Sequence, residues 1–556
     1  MNVEIKDSKR YIIEPTAAFI TFKYSPQVVD FMKSISVRYY HPDTHEWEVP
    51  IDMIEYIQNN APERVKIMGN TTDNNKEYNN IPKEFSFVTE PFNHQIEGVN
   101  YGLTHTRFIL GDEMGLGKTK QMIDTAVCNK IKYGYKHCLI ICCVNGLKWN
   151  WYNEVKKHSN ESAYILGTRY LKNKMTVKNN AEKYEDLLYI NNIDSYFIIT
   201  NVETLRSPDI TDRLNELCKQ RIINMIIVDE CHKCANPTSQ QSKGLLKLNA
   251  EYKALLSGTP LINNPLDLYL PLRWLGYEQH SFYQFKMHHC IYEGYGGHEI
   301  MGYKNLDELK FKLKKIMLRR LKSDVLDLPD KTYVDEYVEL SDAQRRLYNE
   351  VYLSILDDID RVKLMPNPLA QLIRLRQVTG CPDILSSKIK ENAKIDRLKE
   401  IVQENTENGH KVVIFSNWVQ VIQRVYTELM YNKYNPATVT GEQDTIVRII
   451  QQSKFQNDET CKCIVGTIGA MGTGLTLTAG TVIIFIDEPW TRASYEQAVD
   501  RCHRIGTKGN ITIYNLIAKD TIDERIHEII YKKGLMSDHI VDDKISNQEM
   551  FKLIMQ

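Results

Sequence analysis

The sequence predicts an α/β protein of two lobes, joined by a helical region and preceded by a small α+β domain. Short apolar runs rich in Ile and Val fall into two clusters, at about 90–260 and 395–530. Their continuous apolarity is typical of strands buried on both faces, as in a parallel sheet covered by helices. The stretch between the clusters is more charged and has helical periodicity, as in LDELKFKLKKIMLRRLKSDV (306–325). A chain of 556 residues is long enough for two to four domains.

The apolar runs predict the strands, and helical segments such as Thr119–Tyr133 and Asn417–Met430 lie between them. In chain order the runs are CLIICCV (138–144), YFIIT (196–200), INMIIVDE (223–230), KVVIFS (411–416), CKCIVGT (461–467), TVIIFIDE (481–488) and ITIYNLIA (511–518). The polar stretch TTDNNKEYNN (71–80) predicts a linker. We therefore expect a small domain at 1–70, a linker at 71–85, a first lobe with a helical protrusion at 86–335, a helical protrusion of the second lobe at 336–395, a second lobe at 396–535 and a tail at 536–556.

The composition is that of a globular protein with an ample core, with 42% apolar and 25% charged residues. Because the net charge is only −1, any nucleic-acid surface must be a local patch. No apolar run reaches the length of a membrane span, and the start MNVEIKDSKR lacks the apolar segment of a secretory signal. The 12 cysteines follow no disulfide framework, which favours buried thiols in a reducing, cytoplasmic setting.

The stretch GDEMGLGKT (111–119) is nearly a phosphate-binding loop. The usual pattern requires Gly at the position of Asp112, whereas Gly111 lies one place too early. A predicted strand precedes the loop and a predicted helix follows it, which is the order that phosphate binding by a helix N-terminus requires. Lys118 would then neutralise the β- and γ-phosphates, and Thr119 would ligate Mg²⁺. At this point a solvated Gly-Lys turn remains an alternative.

A second fragment, IIVDECH (226–232), ends another predicted strand with two adjacent carboxylates. Asp229 is placed to bind Mg²⁺ through water, and Glu230 to orient and deprotonate an attacking water. An acidic strand end alone is common. Two such fragments in this order indicate hydrolysis of a nucleoside triphosphate.

These fragments and several others resemble the Swi/Snf-type branch of superfamily-two helicases, the ATP-driven DNA translocases. In that branch Asp replaces the first Gly of the loop, which accounts for Asp112. The other matching stretches are PFNHQIEGVNY (91–101), NWYNEV (150–155), DECHK (229–233), LLSGTPLINN (255–264), MLRRLKSDVLDLPDK (317–331), VVIFSNW (412–418), GAMGTGLTLTAGTVIIFIDEPW (469–490) and QAVDRCHRIG (497–506). The resemblance covers about 90–530 and implies two tandem RecA-like lobes of the P-loop NTPase fold, with helical protrusions.

The resemblance also implies the site residues, with ATP and Mg²⁺ as cofactors. The ATP-binding residues would be Gln95 in the adenine-reading segment, Asp112, Glu113, Met114, Gly115, Leu116, Gly117, Lys118, Thr119, Gly474 and Gln497. Arg501 and Arg504 would be arginine fingers of the second lobe, joining Lys118, Asp229 and Glu230 in catalysis. Two positions depart from the family pattern, Cys231 and Thr507, and neither carries charge chemistry.

Two further patterns favour ordinary structure. Cys231 and Cys234 form a C-x-x-C pair, but no second pair lies at the spacing of a zinc site. The basic run Lys310–Lys322 alternates with apolar residues at helical spacing, which is typical of a helix with one solvated face.

The N-terminal stretch 17–67 predicts a strand, a helix, the hairpin YYHPDTHEWEV and a second helix ending in a short strand. It resembles the HARP-type module of annealing helicases. Aromatic residues interleaved with Arg and Lys can stack on bases, at about 1–3 kcal/mol per stacked base. Lys33, Arg38 and Tyr39 are therefore candidate DNA contacts. At this size some aromatic residues must form the core, and we expect Trp47 to be buried and Lys33 and Arg38 exposed.

The expected function is DNA-stimulated ATP hydrolysis by a monomer that moves on duplex or forked DNA and anneals or remodels it. One alternative is a remodeller that displaces proteins such as RNA polymerase from DNA. Another is a nucleotide-dependent DNA-binding module with little turnover, which intact Glu230, Arg501 and Arg504 argue against.

Overall fold

The computed structural model describes residues 1–7, 16–62, 66–68, 80–144, 146–171, 174–177, 179–234, 236–258, 265–293, 299–326, 328–357, 369–386, 389, 391–472, 475–507 and 509–537. The chain forms two compact units. One comprises Met1–Asp112 and Gly117–Arg320, and the other comprises Glu113–Leu116 and Leu321–Gln556.

The N-terminal part of the first unit is a five-stranded sheet with two helices. Its strands are β1 (Asn2–Asp7), β2 (Thr16–Thr21), β3 (Tyr39–His41), β4 (Glu46–Pro50) and β5 (Lys66–Met68), in the order β3-β4-β2-β1-β5. The helices are α1 (Pro26–Ser34) and α2 (Ile54–Asn60). The predicted hairpin is formed by β3 and β4, and Trp47 is buried as expected.

The rest of the first unit is built around a seven-stranded parallel sheet. Its strands are β6 (Arg107–Leu110), β7 (His137–Cys142), β8 (Ala163–Ile165), β11 (Phe197–Asn201), β12 (Ile223–Asp229), β13 (Tyr252–Leu256) and β16 (Met317–Leu318), in the order β16-β6-β13-β12-β7-β11-β8. Two antiparallel pairs lie outside this sheet: β9 (Thr168–Leu171) with β10 (Lys174–Val177), and β14 (Cys290–Glu293) with β15 (Glu299–Tyr303).

Helices cover the sheet of the first unit, and apolar side chains fill two core clusters, one including Leu139 and Ile141 and the other Cys138 and Ile140. These alternate residues of β7 point to opposite faces, so the sheet is buried on both faces, as its continuous apolarity predicts. The helices are α3 (Asn93–Thr104), α4 (Lys118–Tyr133), α5 (Leu147–His158), α6 (Asn180–Leu188), α7 (Pro208–Lys219), α8 (Gln240–Lys247), α9 (Tyr269–Leu275), α10 (Phe282–His289) and α11 (Leu306–Ile316).

The second unit has a six-stranded parallel sheet in the order β17-β22-β21-β18-β20-β19. The strands are β17 (Lys331–Val338), β18 (Val412–Ser416), β19 (Ala437–Val439), β20 (Cys463–Thr467), β21 (Val482–Phe485) and β22 (Ile511–Ala518). The helices are α12 (Lys322–Val325), α13 (Asp342–Asp357), α14 (Leu369–Gly380), α15 (Ala393–Glu407), α16 (Val419–Tyr431), α17 (Thr445–Asn457), α18 (Ile468–Met471), α19 (Arg492–Val499) and α20 (Ile522–Ser537). The predicted fold class, two tandem RecA-like lobes, is confirmed.

One domain boundary differs from the expected one. The first lobe was expected to run to residue 335, but the compact unit ends at Arg320. Strand β17, which spans the expected boundary, pairs along its whole length with β22 of the second sheet. Most of β17 is exposed or half-buried, as suits a strand at the edge of a sheet, so its sequence carries no apolar run. Most of the predicted linker lies outside the described residues.

Candidate nucleotide-binding site

The predicted phosphate loop connects β6 to α4 in the first sheet. Gly115 and Gly117 have φ of 87° and 77°, a left-handed backbone that favours glycine. A side chain on Gly117 would clash with the Gln95 amide, which reaches the loop from the first turn of α3. Helix α4 begins at Lys118, and the N-terminus of a helix binds anions through its backbone N–H groups and its dipole. The sequence therefore folds into the loop that its motif predicts.

Lys118 and Asp112 are joined within this loop. The Lys118 ammonium donates a hydrogen bond to the Asp112 backbone carbonyl, with Nζ and O 2.7 Å apart. The Asp112 carboxylate is fully buried and accepts hydrogen bonds from Arg320 and Gln121. Asp112 thus directs its side chain into the protein, whereas its backbone holds the lysine.

The tip of the loop, Glu113–Leu116, belongs to the second compact unit. The Glu113 carboxylate accepts a hydrogen bond from the backbone N–H of Lys322 at 2.7 Å. A Cβ on Gly115 would lie 3.2 Å from Cβ of Arg504, so a glycine here allows close approach. Of the two remaining predicted residues in this tip, Met114 is half-buried and Leu116 is buried.

Asp229 ends β12 at the carboxyl edge of the first sheet, the edge from which the phosphate loop also starts. The indole Nε1 of Trp151 on α5 donates a hydrogen bond to Asp229 Oδ2 at 2.8 Å, and the backbone N–H of Glu230 donates to Oδ1 at 2.9 Å. Burial, followed by the neighbouring charge of Glu230, raises the pKa of Asp229 to about 6. A buried carboxylate beside a second carboxylate is stabilised by a cation.

Glu230 adopts φ of 55°, which is uncommon for a residue with a side chain and typically costs about 1–3 kcal/mol. Its carboxylate Oε2 lies 3.3 Å from His232 Nδ1, which is also 3.3 Å from the Ser257 hydroxyl. Because of this backbone turn after β12, the adjacent carboxylates of Asp229 and Glu230 point to different partners. Asp229 is held by α5, and Glu230 lies beside a histidine that also contacts the strand end of β13.

Three side chains of this site were not among the residues predicted from the sequence. Trp151, His232 and Ser257 lie in the stretches NWYNEV, DECHK and LLSGTP, but their roles became visible only from these contacts. The resemblance identified the segments that contain these residues. It could not show which side chain in each segment contacts Asp229 or Glu230.

The residues present fit Mg²⁺. Asp229 supplies a carboxylate with raised pKa, and Thr119 supplies a hydroxyl from the first turn of α4. Oxygen ligands of this kind are those that Mg²⁺ prefers. Among the described residues, no cluster of three His, Cys, Asp or Glu side chains could hold a metal by itself. Cys231 and Cys234 are both buried.

The predicted arginine fingers follow α19 in the second unit. Arg501 Nε donates to the Gly472 carbonyl at 3.0 Å, and Arg504 Nη1 donates to the Thr476 hydroxyl at 3.0 Å. The segment after α18 therefore holds both guanidinium groups. Gln497 is half-buried on α19, and the predicted Gly474 lies outside the described residues.

The candidate DNA contacts of the N-terminal domain divide into two exposed residues and one half-buried residue. Lys33 is exposed, as predicted, and the Tyr39 side chain is 40% exposed. Arg38 was expected to be exposed, and this expectation is wrong. Its guanidinium folds back to donate to the Ile35 carbonyl, and burial lowers its pKa.

All 12 cysteines are free and buried, which confirms the expectation of buried thiols. Among the described residues, no helix combines the length and the apolarity needed to cross a bilayer.

Two family models match the chain. A model described as the SNF2-related domain matches residues 94–384, and one described as the helicase conserved C-terminal domain matches residues 393–506. Together they cover most of both sheets. The N-terminal domain lies outside both matches.

Similar proteins include several whose names describe helicases. An "uncharacterized ATP-dependent helicase" of Mycoplasma pneumoniae is 28% identical, over 92% of this chain and 49% of that protein. The human "DNA annealing helicase and endonuclease ZRANB3" is 26% identical, over 86% of this chain and 43% of that protein. A solved structure of the Sulfolobus solfataricus SWI2/SNF2 ATPase core in complex with dsDNA is 24% identical, with a TM-score of 0.38, over 85% of this chain and 96% of that one. The chain spans about half the length of the first two curated relatives it matches.

Proposed function

Because the chain belongs to the SNF2 family of helicase-like ATPases, we propose that it hydrolyses ATP in a DNA-stimulated reaction and thereby translocates along duplex or forked DNA. One observation carries the proposal. Lys118 and Thr119 begin a helix at the same sheet edge where Asp229 ends a strand and Glu230 follows it. The groups that we propose to bind phosphate and to activate water therefore lie at one edge of the sheet.

In this proposal Lys118 exchanges its hydrogen bond to Asp112 for the β- and γ-phosphate oxygens. Thr119 and Asp229 would hold Mg²⁺, Asp229 through water. The metal supplies neutralising charge on the phosphate oxygens when bound. Trp151 keeps the Asp229 carboxylate in place by its hydrogen bond, so the carboxylate needs no reorganisation when ATP binds.

Glu230 acts as the general base. It accepts a proton from the water that attacks the γ-phosphorus. The adjacent His232 lies with Nδ1 3.3 Å from Glu230 Oε2. Arg501 and Arg504 supply positive charge to the γ-phosphoryl oxygens as the bond to the leaving group breaks. An arginine finger is typically worth about 10³–10⁵ in rate.

Annealing or fork remodelling is the outcome we propose for this translocation. Two observations support it: the similarity to ZRANB3, and the N-terminal domain, which carries the exposed Lys33 and Tyr39. An exposed aromatic residue can stack on an unpaired base, and an exposed lysine can neutralise a phosphate.

The test compares ATP turnover without DNA and with single-stranded, duplex and forked DNA, using Glu230→Gln as the inactive control. We expect DNA to stimulate the wild-type chain and to leave the Glu230→Gln variant inactive. Wild-type turnover that is unchanged by every DNA would contradict the proposal.

DNA affinity should depend strongly on salt although the net charge is −1. Contacts to phosphates release counterions, so the logarithm of affinity falls linearly with the logarithm of salt concentration. Fluorescence anisotropy of labelled duplex DNA, titrated at several salt concentrations, measures the slope. A flat dependence would exclude a protein that follows the DNA backbone.

A further inference from the structure

The buried carboxylate of Asp112 has one arginine as its main partner. Asp112 Oδ1 accepts hydrogen bonds from the Arg320 backbone N–H at 3.1 Å and from Arg320 Nε at 3.0 Å. Oδ2 accepts from Arg320 Nη2 at 2.6 Å and from Gln121 Nε2 at 3.1 Å. The residue that replaces the usual glycine of the loop is therefore bound on both oxygens.

Arg320 reaches the loop from a distant part of the sequence. Strand β16 follows α11 and pairs with the end of β6, and the Leu318 carbonyl accepts a hydrogen bond from Gly111 N–H at 2.8 Å. Two residues later Arg320 turns inward and its side chain is only 10% exposed. The segment after α11 thus holds the first two residues of the phosphate loop, Gly111 by its backbone and Asp112 by a guanidinium.

The same guanidinium also binds the two helices beside the loop. Nη2 donates to Gln121 Oε1 on α4 at 2.9 Å, and Nη1 donates to the His94 carbonyl at the start of α3. Gly98 on α3 faces this cluster, and a Cβ there would clash with Gln121 Oε1 and lie 3.0 Å from Arg320 Nη2. Because residue 98 is a glycine, the side chains of Arg320 and Gln121 have room to meet there.

We infer that Arg320 is a positioning residue of the ATP site, acting on the phosphate loop through Asp112. The Asp112 carboxylate is fixed by Arg320, and the Asp112 carbonyl receives the Lys118 ammonium at 2.7 Å. Asp112 therefore links the Arg320 guanidinium to Lys118, the lysine proposed to bind phosphate. The inference rests on the proposed function, since it assumes that ATP is the ligand of this loop.

The chemistry of the pair requires arginine. A guanidinium presents several N–H donors in a rigid plane and binds both oxygens of a carboxylate, whereas an ammonium is a point charge on a flexible stem. Lys at position 320 would keep the charge next to Asp112 but could not hold both oxygens, Gln121 and the His94 carbonyl at once. The loop would then lose its fixed position while the ion pair survives.

The test measures ATP affinity with a fluorescent ATP analogue, KM and kcat for ATP with duplex DNA, and the melting temperature of the full chain. We expect Arg320→Lys to weaken affinity and raise KM about tenfold, as is typical when a group that orients a ligand-binding residue is lost. The matched control is Arg169→Lys, which alters another Arg–Asp pair of the first unit, Arg169 with Asp186 at 2.8 Å. The control should keep the wild-type affinity and KM.

A second variant separates positioning from stability. Asp112→Asn combined with Arg320→Gln removes both charges, so no uncompensated buried charge remains to unfold the protein. We expect this double variant to melt near the wild-type temperature and still bind the analogue about tenfold more weakly. Wild-type affinity in the double variant, or in folded Arg320→Lys, would overturn the inference. A wild-type chain that binds the analogue without hydrolysing ATP would instead contradict the proposed function.

Discussion

At the scale of single residues, the site depends on what holds each charge. Asp229 and Glu230 are neighbours in sequence, yet the left-handed backbone at Glu230 sends them to different partners. Asp229 is held by Trp151, and Glu230 lies beside His232. This separation supports the different tasks that we propose for the two carboxylates, metal binding for Asp229 and proton transfer for Glu230.

Lys118→Ala and Glu230→Gln should separate ATP binding from hydrolysis. Lys118→Ala removes a charge from the phosphates and should weaken ATP binding about tenfold or more, because hydrogen bonds to charged groups contribute about 1.5–3 kcal/mol. Glu230→Gln keeps the shape and should lower kcat about 10²–10⁴-fold with near-normal binding, since only the base is lost. The measurements are binding of a fluorescent ATP analogue and ATP turnover. Equal loss of binding in both variants would refute this division of roles.

Trp151→Phe should lower kcat about tenfold because the hydrogen bond that orients Asp229 is lost. Trp274→Phe is the control. Trp274 is also buried in the first unit, and its indole donates to the Leu248 carbonyl. Both substitutions leave a cavity and should lower stability by about 1–3 kcal/mol. Turnover that falls equally in both variants would mean that the cavity alone causes the loss.

At the scale of secondary-structure elements, His527 on helix α20 contacts two carboxylates of the second unit. His527 Nδ1 lies 3.0 Å from Glu488 Oε1, just after β21, and Nε2 lies 3.3 Å from Asp335 Oδ2 on β17. Burial by itself lowers the pKa of His527, but the hydrogen bond and charge of Glu488 and the charge of Asp335 outweigh burial and raise the pKa above its ordinary value of 6.5.

This raised pKa makes the stability of the second unit pH-dependent. The protonated His527 contributes fully below about pH 6.5, and the contribution is lost as pH rises through the raised pKa. His527→Asn should therefore lower the free energy of unfolding by about 1.5–3 kcal/mol at low pH, and by less at a pH above the raised pKa. Thermal melts of both chains across pH measure the difference. The control is His410→Asn, at a histidine that pairs with the Thr481 hydroxyl. A stability difference between wild-type and His527→Asn that grows as pH rises would contradict a raised pKa of His527.

At the scale of the whole molecule, the N-terminal domain packs on helix α11 of its own unit. The Ser36 backbone N–H and hydroxyl donate to the Glu308 carboxylate, and Tyr56 packs on Phe311 with ring centroids 5.3 Å apart. Glu308 also pairs with His288 and Lys312, each at 3.0 Å. Burial raises the pKa of Glu308, but Lys312, His288 and Ser36 outweigh burial and hold the pKa well below its usual range.

Deleting residues 1–70 should leave a folded chain with nearly unchanged ATP turnover in the absence of DNA. Glu308 keeps its pairing with His288 and Lys312, so no uncompensated charge is exposed in the remaining unit. If the proposed function holds, the shortened chain should lose the preference for forked DNA and the rewinding of a melted bubble that we expect of the full chain. Rewinding and ATP turnover are measured on the same DNA for both chains, and equal rewinding would contradict a role of this domain in DNA recognition.

Point variants test the same role without deletion. Tyr39→Ala removes an exposed ring and should reduce rewinding while the domain stays folded. Trp47→Ala removes a buried ring and should mainly unfold the domain, because loss of a buried aromatic side chain costs about 3–5 kcal/mol. Arg38→Ala is less informative than its sequence suggests, since Arg38 also binds the Ile35 carbonyl.

The sequence by itself determined the two lobes and the glycine loop between β6 and α4, and it predicted the roles of Lys118, Asp229 and Glu230 on which the proposed function rests. These features are local, because an apolar run, a glycine loop and a helix start lie within a few residues of one another. The hairpin of the N-terminal domain and the burial of Trp47 were predictable for the same reason.

Only the tertiary structure decided the partners of buried polar side chains. Asp112 pairs with Arg320, 208 residues away, and β17 joins the second sheet through β22, 180 residues later. Likewise Arg38 folds onto a carbonyl, and Trp151 finds Asp229 across 78 residues. Hydrophobic periodicity determines which faces are buried, but the partner of a buried charge is set by which distant segments the packed sheets bring together.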